Sequence, residues 1–437
     1  MKTISLLFVT FFVLVTLTTA TTDYWFEQKI DHFNPLDDRK FQQLYYVNDT
    51  YYQEGGPLFF IFNGEGPMPG LYNEYGYPVE LASKYNALVV SLEHRYYGVS
   101  LPFGEESHTN ENLQYLHTEQ VLEDFAQFRH HIFEKYNLAS TTKVFGFGCS
   151  YSGVLSAWFR TKNPHLIDGV FSGSSPVWAT LDFTSYMELV ESRLSTECVD
   201  SVASAVTQIN NLLDTIDGRI QLQRMFNTCQ ELLMPFDVQM FKYNIQGGIM
   251  GAVQYQNPPD WPETAACDAM EAATDKLAEY IKQFAYPNGS CMELDPASSY
   301  IDDGKSWYYQ KASQFGFFKN TPPNSKIFFQ GVDADFHKAL IQKIFGQPFY
   351  PDVDFTNAYY GGKDVNWSNI IFTNGINEPW SLLSITDMKL NSDSVVVVDY
   401  EDAGHCAPYH FYNDKMPPGV LNARKKIDEF ITKVTSN

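Results

Sequence analysis

The sequence has few basic residues. Lysine and arginine number 30 against 52 aspartates and glutamates, which gives a formal net charge of -22 over 437 residues. Proteins that bind nucleic acid neutralise its phosphates with a basic stripe, and this chain has none, so the composition excludes that class. With 44% hydrophobic and 19% charged residues, the chain is typical of a globular protein, here one suited to an acidic compartment or the outside of the cell.

Other signals are absent as well. No two cysteines form a C-x-x-C pair, so we expect no zinc site, and nothing else in the sequence predicts a metal or a cofactor. Beyond residue 20 no apolar run approaches the roughly 20 residues that a membrane-spanning helix requires. The chain also has no internal repeat and no low-complexity segment.

Residues 1–20 have the pattern of a secretory signal peptide. Lys2 supplies the positive charge, residues 6–17 are nearly all apolar, and Thr18, Thr19 and Ala20 are small residues suited to cleavage. An uncleaved anchor is the alternative, although the apolar run is short for a membrane span. We therefore predict a soluble mature chain that begins near Thr21 and is secreted or lysosomal.

Secretion places the cysteines in an oxidising environment, where disulfides are the default. Four of the six lie in one stretch and allow three pairings, among which the sequence cannot choose: Cys198, Cys229, Cys267 and Cys291. The other two, Cys149 and Cys406, lie far outside that stretch. Three N-x-S/T sequons are predicted glycan sites: Asn48, Asn288 and Asn366.

The hydrophobic pattern predicts an α/β fold with a helical insertion. Apolar runs of strand length and an amphipathic helix at 119–136 alternate in the first part of the chain, which favours a mostly parallel sheet covered on both faces. The predicted strands are 57–62, 87–92, 143–147 and 166–171, and later 369–373 and 394–399, before a last helix at 420–434. Between them helical periods dominate, most clearly at 267–284. We therefore predict a core of residues 21–180 and 365–437 with a helical cap of residues 181–364.

The stretch 142–160 combines a short strand, a tight turn and a helix around Ser150. Gly148 and Ser152 lie two positions on either side of that serine, close to the G-x-S-x-G pattern of the nucleophile elbow, in which a strained turn exposes a serine at the top of a sheet. The alternative is an ordinary strand-to-helix turn with an idle serine. Cys149 is a poor candidate for the nucleophile because no base follows at a fixed spacing.

Polar groups follow the later strands, where open α/β sheets bind their ligands. Glu378 follows the strand at 369–373 and His405 the strand at 394–399, so serine, acid and histidine occur in the chain order of α/β-hydrolase triads. In that arrangement His405 removes the proton of Ser150 and Glu378 orients the imidazole. Asp399 and Asp402 are alternative acids.

The predicted oxyanion donors are backbone N–H groups at two places. One is Tyr151, which follows the serine at the start of the helix, and the other lies in the loop of Gly64 and Glu65 after the first strand. Such donors stabilise the negative charge of the tetrahedral intermediate of acyl transfer.

Motifs spread over nearly the whole mature chain resemble one family, the serine carboxypeptidase-like peptidases that include lysosomal Pro-Xaa carboxypeptidase, dipeptidyl peptidase II and thymus-specific serine protease. The most specific motif is EHRYYG at 93–98, followed by SLP at 100–102; others are QKIDHFN at 28–34, GEG at 64–66, QFGF at 314–317 and GHC at 404–406. The resemblance implies an α/β-hydrolase core with an inserted helical cap, a Ser-Asp-His triad and cleavage of peptides beside proline. Its nucleophile and histidine correspond to Ser150 and His405.

This chain departs from the family at several positions. Glu378 stands where relatives have aspartate before Pro-Trp, and Cys149 stands where they have glycine. Ala312 and Gln314 replace a common cysteine and glutamate, so one family disulfide is expected to be absent. Because Cys149 and Cys406 adjoin the predicted nucleophile and base, we predict either a disulfide or two thiols near the site.

The leading functional prediction is a serine exopeptidase that acts on short peptides, with a possible homodimer left open. Glu65 is a candidate for binding a substrate ammonium and Arg95 for binding a carboxylate, although Arg95 and Glu93 are expected to form a buried structural pair. Trp380 is a further candidate for contact with substrate. The alternatives are a lipase or esterase on the same core and a non-catalytic binding protein.

Overall fold

A computed structural model describes residues 22–68, 76–284, 290–364, 366–390, 392, 394–410 and 415–436. Eight strands of these residues form one sheet, with the order β1-β2-β4-β3-β5-β6-β7-β8. β1 and β2 form an antiparallel pair, β2 is antiparallel to β4, and all other neighbours are parallel. The strands are β1 Tyr24–Lys29, β2 Lys40–Asn48, β3 Leu58–Phe62, β4 Leu88–Leu92, β5 Val144–Cys149, β6 Gly169–Gly173, β7 Ile370–Gly375 and β8 Val395–Tyr400. The prediction of a mostly parallel sheet is confirmed.

The central strands are buried along their whole length. Every residue of β3, β4, β5, β6 and β7 is buried, as expected for parallel strands covered on both faces. Alternate side chains of β3 enter two different cores: Phe59 and Ile61 on one face, Phe60 and Phe62 on the other. The sheet is therefore sandwiched between two helical layers.

Helices from distant parts of the chain form these layers. α1 Tyr77–Tyr85 and α14 Pro418–Ser436 pack on the face of Phe59. α2 Thr118–Lys135 and α3 Tyr151–Lys162 pack on the face of Phe60. The predicted helices at 119–136 and 420–434 are thus confirmed, whereas β2 was not predicted and β6 begins three residues later than predicted.

The segment between β6 and β7 is helical. Its helices are α4 Thr184–Arg193, α5 Thr196–Leu213, α6 Ile216–Phe226, α7 Pro235–Gln254, α8 Pro262–Ala272, α9 Lys276–Phe284, α10 Pro296–Ser299, α11 Asp302–Gln310, α12 Ala334–Phe345 and α13 Val353–Tyr360, with a π-helical turn at Lys311–Phe315. The single helix predicted at 267–284 is wrong, because α8 and α9 are separate. The Asp275 side chain accepts a hydrogen bond from the Ala278 N–H at 3.1 Å and so caps the start of α9.

All six cysteines form disulfides. Cys198–Cys267 joins α5 to α8, Cys229–Cys291 joins the end of α6 to the chain before α10, and the third bond is Cys149–Cys406. The structure thus selects one of the three pairings that the sequence left open, and no cysteine remains for a fourth bond at Ala312. The inserted helical region is therefore cross-linked within itself, and the core carries its own cross-link.

The division of the chain at residues 180 and 365 stays a prediction. The signal peptide and Asn288 lie outside the described residues. Of the other sequon residues, Asn366 is exposed, while Asn48 is half-buried at the end of β2. Among the helices of the described residues, none is both long and apolar enough to cross a membrane.

Candidate active site

Ser150 occupies a strained corner between β5 and α3. Its backbone has φ 60° and ψ -132°, a conformation that a residue with a side chain seldom adopts and that marks the nucleophile elbow. The Ser150 N–H donates to the Gly173 carbonyl at 2.9 Å, which attaches the turn to β6. The sequence prediction for this turn agrees with the observed backbone.

Close packing and hydrogen bonds explain why the residues around the elbow are small. A Cβ at Gly148 would lie 2.1 Å from the Ser152 carbonyl oxygen, and one at Gly153 would lie 2.9 Å from the Gly173 oxygen. Ser152, which takes the place of the second glycine of the pattern, donates its hydroxyl to the Cys149 carbonyl at 2.7 Å and accepts the Cys149 N–H at 2.9 Å. Ser152 therefore fixes the shape of the turn, while Gly153 allows the close approach of β6.

His405 and Glu378 meet at the carboxyl ends of β7 and β8. His405 Nδ1 lies 3.2 Å from Glu378 Oε1, and both side chains are almost completely buried. The pair is close enough for an ion pair, although the angle between the groups is not that of a hydrogen bond. The second carboxylate oxygen, Oε2, accepts the Trp380 N–H at 2.8 Å, which holds the carboxylate in place.

The alternative acids have other partners. Asp399 accepts a hydrogen bond from the Asn374 side chain at 2.9 Å, and Asp402 accepts the Gly419 N–H at 2.7 Å. Among the described residues, Glu378 is the acidic residue whose carboxylate lies within ion-pairing distance of the His405 ring. The geometry therefore favours Glu378 as the triad acid.

The loop of His405 is held by residues at the end of α7. The His405 N–H donates to the Gln254 carbonyl at 2.8 Å, and the Asn257 side chain donates to the His405 carbonyl at 2.8 Å. Gly404 donates to both the Gln256 carbonyl and the Asn257 side chain at 2.9 Å, and a Cβ at Gly404 would lie 2.6 Å from the Gln254 oxygen. The helical region thus positions the proposed base.

The disulfide between Cys149 and Cys406 lies beside these residues, with the two Cα atoms 5.9 Å apart. The disulfide alternative is correct, and the alternative of two free thiols is wrong. Because one half-cystine precedes Ser150 and the other follows His405, the bond restricts the separation of the proposed nucleophile and base.

The predicted oxyanion groups lie next to the elbow. A Cβ at Gly64 would lie 3.3 Å from the Ser152 nitrogen and 3.6 Å from the Tyr151 ring, so the loop after β3 contacts the start of α3. Glu65 lines the same cleft as Ser150 and Tyr151. Burial raises the pKa of the Glu65 carboxyl above its usual value, which favours its neutral form.

Arg95 does not reach this cleft, and its expected pairing with Glu93 is wrong. The Arg95 guanidinium makes two hydrogen bonds of 2.6 Å to Asp124 and donates to the carbonyls of Lys29 and Ile30. Glu93 instead accepts from other groups: the N–H groups of Met68 and Val99 and the hydroxyl of Ser100. Both residues are structural, so Arg95 is excluded as a ligand for a substrate carboxylate.

Gln314, one of the departures from the family pattern, also lies away from the cleft. Its Oε1 accepts hydrogen bonds from the N–H and the hydroxyl of Thr118, at 3.2 and 3.1 Å. Thr118 is the first residue of α2, so Gln314 joins the π-helical turn to the core.

A cleft of about 660 Å³ opens in front of Ser150, between the core and the helical region. Aromatic side chains form part of its walls, among them Trp380, which the sequence offered as a substrate contact. Sequence reasoning missed the residues that the helical region contributes, because none of them follows a strand and the QFGF motif, which ends at Phe317, was not assigned to the cleft. They include Tyr186, Tyr243, Gly251, Tyr255, Phe284, Trp307, Phe317 and Lys319.

The parallel sheet, the elbow serine and the histidine–acid pair after β7 and β8 together define an α/β-hydrolase with a serine nucleophile. The profile of the family described as serine carboxypeptidase S28 matches residues 28–427. The chain belongs to this family and is a serine-type peptidase, as the resemblance predicted.

Three relatives show the extent of the similarity. A protein of Arabidopsis thaliana named "Probable serine protease EDA2" is 34% identical over 386 residues, which are 83% of this chain and 76% of the relative. The human thymus-specific serine protease is 30% identical and covers 87% of this chain and 80% of its own. The human lysosomal Pro-X carboxypeptidase is 29% identical, with 92% and 85% covered.

Proposed function

We propose that this protein is a serine exopeptidase that cleaves short peptides beside proline through an acyl-enzyme, with Ser150, His405 and Glu378 as its catalytic residues. The observation that carries the proposal is the buried contact of 3.2 Å between His405 and Glu378, in a site whose cleft is lined by Ser150. A serine hydroxyl is a weak nucleophile, and an adjacent base is the usual means of activating it.

The reaction proceeds in two halves. His405 takes the proton of Ser150 as the oxygen attacks the scissile carbonyl, and it then gives that proton to the departing amine. Glu378 stabilises the imidazolium that exists between these transfers. Water then attacks the acyl-enzyme in the same way, with His405 again as the base. The peptide bond breaks, and the two products leave as an acid and an amine.

The negative charge that develops on the carbonyl oxygen needs donors that are already in place. Tyr151 begins α3, where backbone N–H groups lack partners within the helix, and the Gly64–Glu65 loop lies against it. The N–H of Tyr151 and one from this loop are therefore the proposed oxyanion donors. The partial positive charge of the helix start favours the same anion.

The shape and lining of the cleft suit a short peptide with proline. The helical region covers the carboxyl end of the sheet, so a long folded substrate has no room beside Ser150. Trp380 is a half-buried ring that lines the cleft, and the buried rings of Phe317 and Tyr186 support it with centroids 5.4 and 5.6 Å away. Flat aromatic faces pack well against the rigid, apolar ring of proline. A relative is named a Pro-X carboxypeptidase, which supports the same substrate class.

The signal-like sequence at 1–20 supports a secreted or lysosomal location. One relative is named a lysosomal Pro-X carboxypeptidase, which supports the lysosomal alternative. A homodimer stays a prediction, and the oligomeric state of the mature chain can be measured by sedimentation.

The test is an assay of the secreted chain and its Ser150→Ala variant between pH 4 and 8. Peptides with an internal Xaa-Pro or Pro-Xaa bond and Xaa-Pro-arylamides are the substrates, and acyl esters of similar size test the lipase or esterase alternative. We expect wild type to cleave the proline substrates and Ser150→Ala to lose at least about 10³-fold in kcat. Equal turnover by the two proteins would refute the proposal, and turnover of esters alone would favour the alternative.

A further inference from the structure

One cation faces the cleft, and the proposed triad does not use it. Lys319 lies after the π-helical turn, is half-buried and lines the cleft together with Ser150. Glu65 and Lys319 are the acidic and basic side chains among the described residues that line this cleft. In a chain with a net charge of -22, a lysine in the substrate cleft calls for an explanation.

The Lys319 ammonium rests on two aromatic rings. Its Nζ lies 3.8 Å from the centroid of Tyr186 and 5.1 Å from that of Trp380. Such contacts orient a cation and leave its N–H groups able to donate elsewhere. Over the described ranges the structure shows no hydrogen bond and no ion pair of this ammonium. Lys319 is therefore a cation held by aromatic rings, and none of the described residues accepts a hydrogen bond from its ammonium.

The rings beneath Lys319 are fixed from both sides of the cleft. The backbone N–H of Trp380 donates to the Glu378 carboxylate, which fixes the main chain that carries this ring, and the Tyr186 hydroxyl donates to the Gln254 side chain at 2.6 Å. The neighbour of Gln254 in turn faces the proposed base, since the rings of Tyr255 and His405 meet edge to face at 5.8 Å. The cation is thus built into the same framework as the proposed catalytic residues.

We propose that Lys319 forms a carboxylate-binding subsite of the catalytic cleft, so that a preferred peptide substrate places an anionic group against it. This inference rests on the proposed peptidase function and deepens it. An ammonium in a partly enclosed apolar site binds a carboxylate through charge-assisted hydrogen bonds, which are stronger there than in water. The carboxylate has two sources in a peptide: its C-terminus, as in carboxypeptidase action, or an acidic side chain near the scissile bond.

The titration of Lys319 fits this role. Its partial burial and the nearby charge of Lys311 lower its pKa to about 7, against the opposing effect of Glu378. Other titratable groups near it are Tyr186, whose pKa burial raises well above the usual value, His337, whose pKa burial lowers to about 3, and Glu65 of the same cleft, whose pKa burial raises. Lys319 is therefore charged at acidic pH and loses its charge as the pH rises through about 7.

The experiment measures peptide binding, so that it does not depend on turnover. Calorimetry at pH 5.5 on the Ser150→Ala protein compares two matched pairs of proline-containing peptides. One pair differs in a C-terminal carboxylate or amide, and the other in Glu or Gln beside the bond to be cleaved. We expect about tenfold tighter binding of the carboxylate member in one pair, and the pair that shows it identifies the source.

Variants then test whether Lys319 causes the preference for the carboxylate peptide. In the Ser150→Ala background, Lys319→Met should abolish it and Lys319→Arg should keep it. Lys305→Met is the matched control and should keep the preference, because Lys305 is also a half-buried lysine beside an aromatic ring, 5.8 Å from the Phe345 centroid, but is absent from the cleft lining. A preference that survives Lys319→Met, or the lack of any preference in both pairs, overturns the proposal.

A second measurement needs no substitution at Lys319. In the Ser150→Ala protein the preference should fall between pH 5.5 and 8.5 as the lysine loses its charge, and a constant preference would overturn the proposal even if Lys319→Met does not fold. Carboxylate-selective binding without any cleavage by wild type would refute the peptidase function alone. Cleavage by wild type without carboxylate selectivity would refute the subsite alone.

Discussion

Cys149 and Cys406 form a disulfide that joins the residue before the proposed nucleophile to the residue after the proposed base, with Cα atoms 5.9 Å apart. The two half-cystines are separated by 257 positions in the sequence, so the bond closes a loop that includes the whole helical region. It acts on stability and on the geometry of the site together.

Replacing both half-cystines with serine should therefore have two effects. We expect Cys149→Ser with Cys406→Ser to lower the free energy of unfolding by about 2–5 kcal/mol and to reduce kcat, because Ser150 and His405 are then less restricted. Chemical denaturation and steady-state kinetics measure these effects. The double variant Cys229→Ser with Cys291→Ser is the control, in which stability falls and kcat is retained; an equal loss of kcat in both would contradict this prediction.

No cysteine of the unreduced wild type should react with a thiol label.

Glu378 can be tested against its aspartate neighbours. Glu378→Gln keeps the size of the side chain but removes the charge beside the imidazole, and we expect kcat to fall by about 10⁴-fold. Glu378→Asp keeps the charge on a shorter side chain and should have an intermediate kcat. Asp399→Asn and Asp402→Asn should keep most of the activity. A kcat that is unchanged in Glu378→Gln but lost in one aspartate variant would transfer the role to that aspartate.

Asn257 is predicted to be a positioning residue. Its side chain donates to the His405 carbonyl and accepts the Gly404 N–H, so Asn257→Ala should let the histidine loop shift and lower kcat by about 10- to 100-fold with little change in KM. Asn112→Ala, which removes a similar bond to the Glu106 carbonyl at 2.9 Å, is the control. A change in KM alone would show that Asn257 acts on the substrate instead.

The buried charge of Asp124 should control stability at low pH. Burial by itself would raise the pKa of Asp124, but the charge and hydrogen bonds of Arg95 and the hydrogen bond of His32 lower it below its usual value. The folded protein therefore binds this proton less readily than the unfolded chain does. The resulting stability is fully present above the unfolded pKa of about 4 and is lost as the pH falls through the folded value.

Asp124→Asn tests this relationship, because it leaves Arg95 buried without its anion. We expect the free energy of unfolding at pH 7 to fall by about 3–5 kcal/mol relative to wild type. Below pH 3 this difference should be smaller. Urea titrations at several pH values measure it. An equal difference at all these pH values would show that the charge of Asp124 is not the cause.

The sequence allowed the sheet and the proposed triad to be predicted for the same reason. Parallel strands are continuous apolar runs, and Glu378 and His405 follow two of them, so one pattern indicates both the strand and the position of the side chain. β2 was missed because its polar and apolar residues alternate irregularly, as the burial of Lys40–Asn48 shows.

The roles of Lys319 and Asn257 could not be predicted in this way. The Lys319 ammonium is held by Tyr186 and Trp380, each more than 60 residues away in the sequence, and Asn257 acts through His405. Neither follows a strand, and their partners are determined only when the helical region packs on the core. The Arg95 prediction failed because its partner Asp124 lies on α2, whose packing against the sheet no sequence pattern near Arg95 indicates.

The hydrogen bonds between residues 254–257 and the histidine loop have a consequence for the surroundings of the enzyme. If residues 254–257 of the helical region moved away from the core to admit a large substrate, the hydrogen bonds that hold His405 in place would break. Widening the entrance and keeping the catalyst assembled are therefore incompatible. We therefore expect intact folded proteins, which are too large for the cleft, to resist cleavage by this hydrolase.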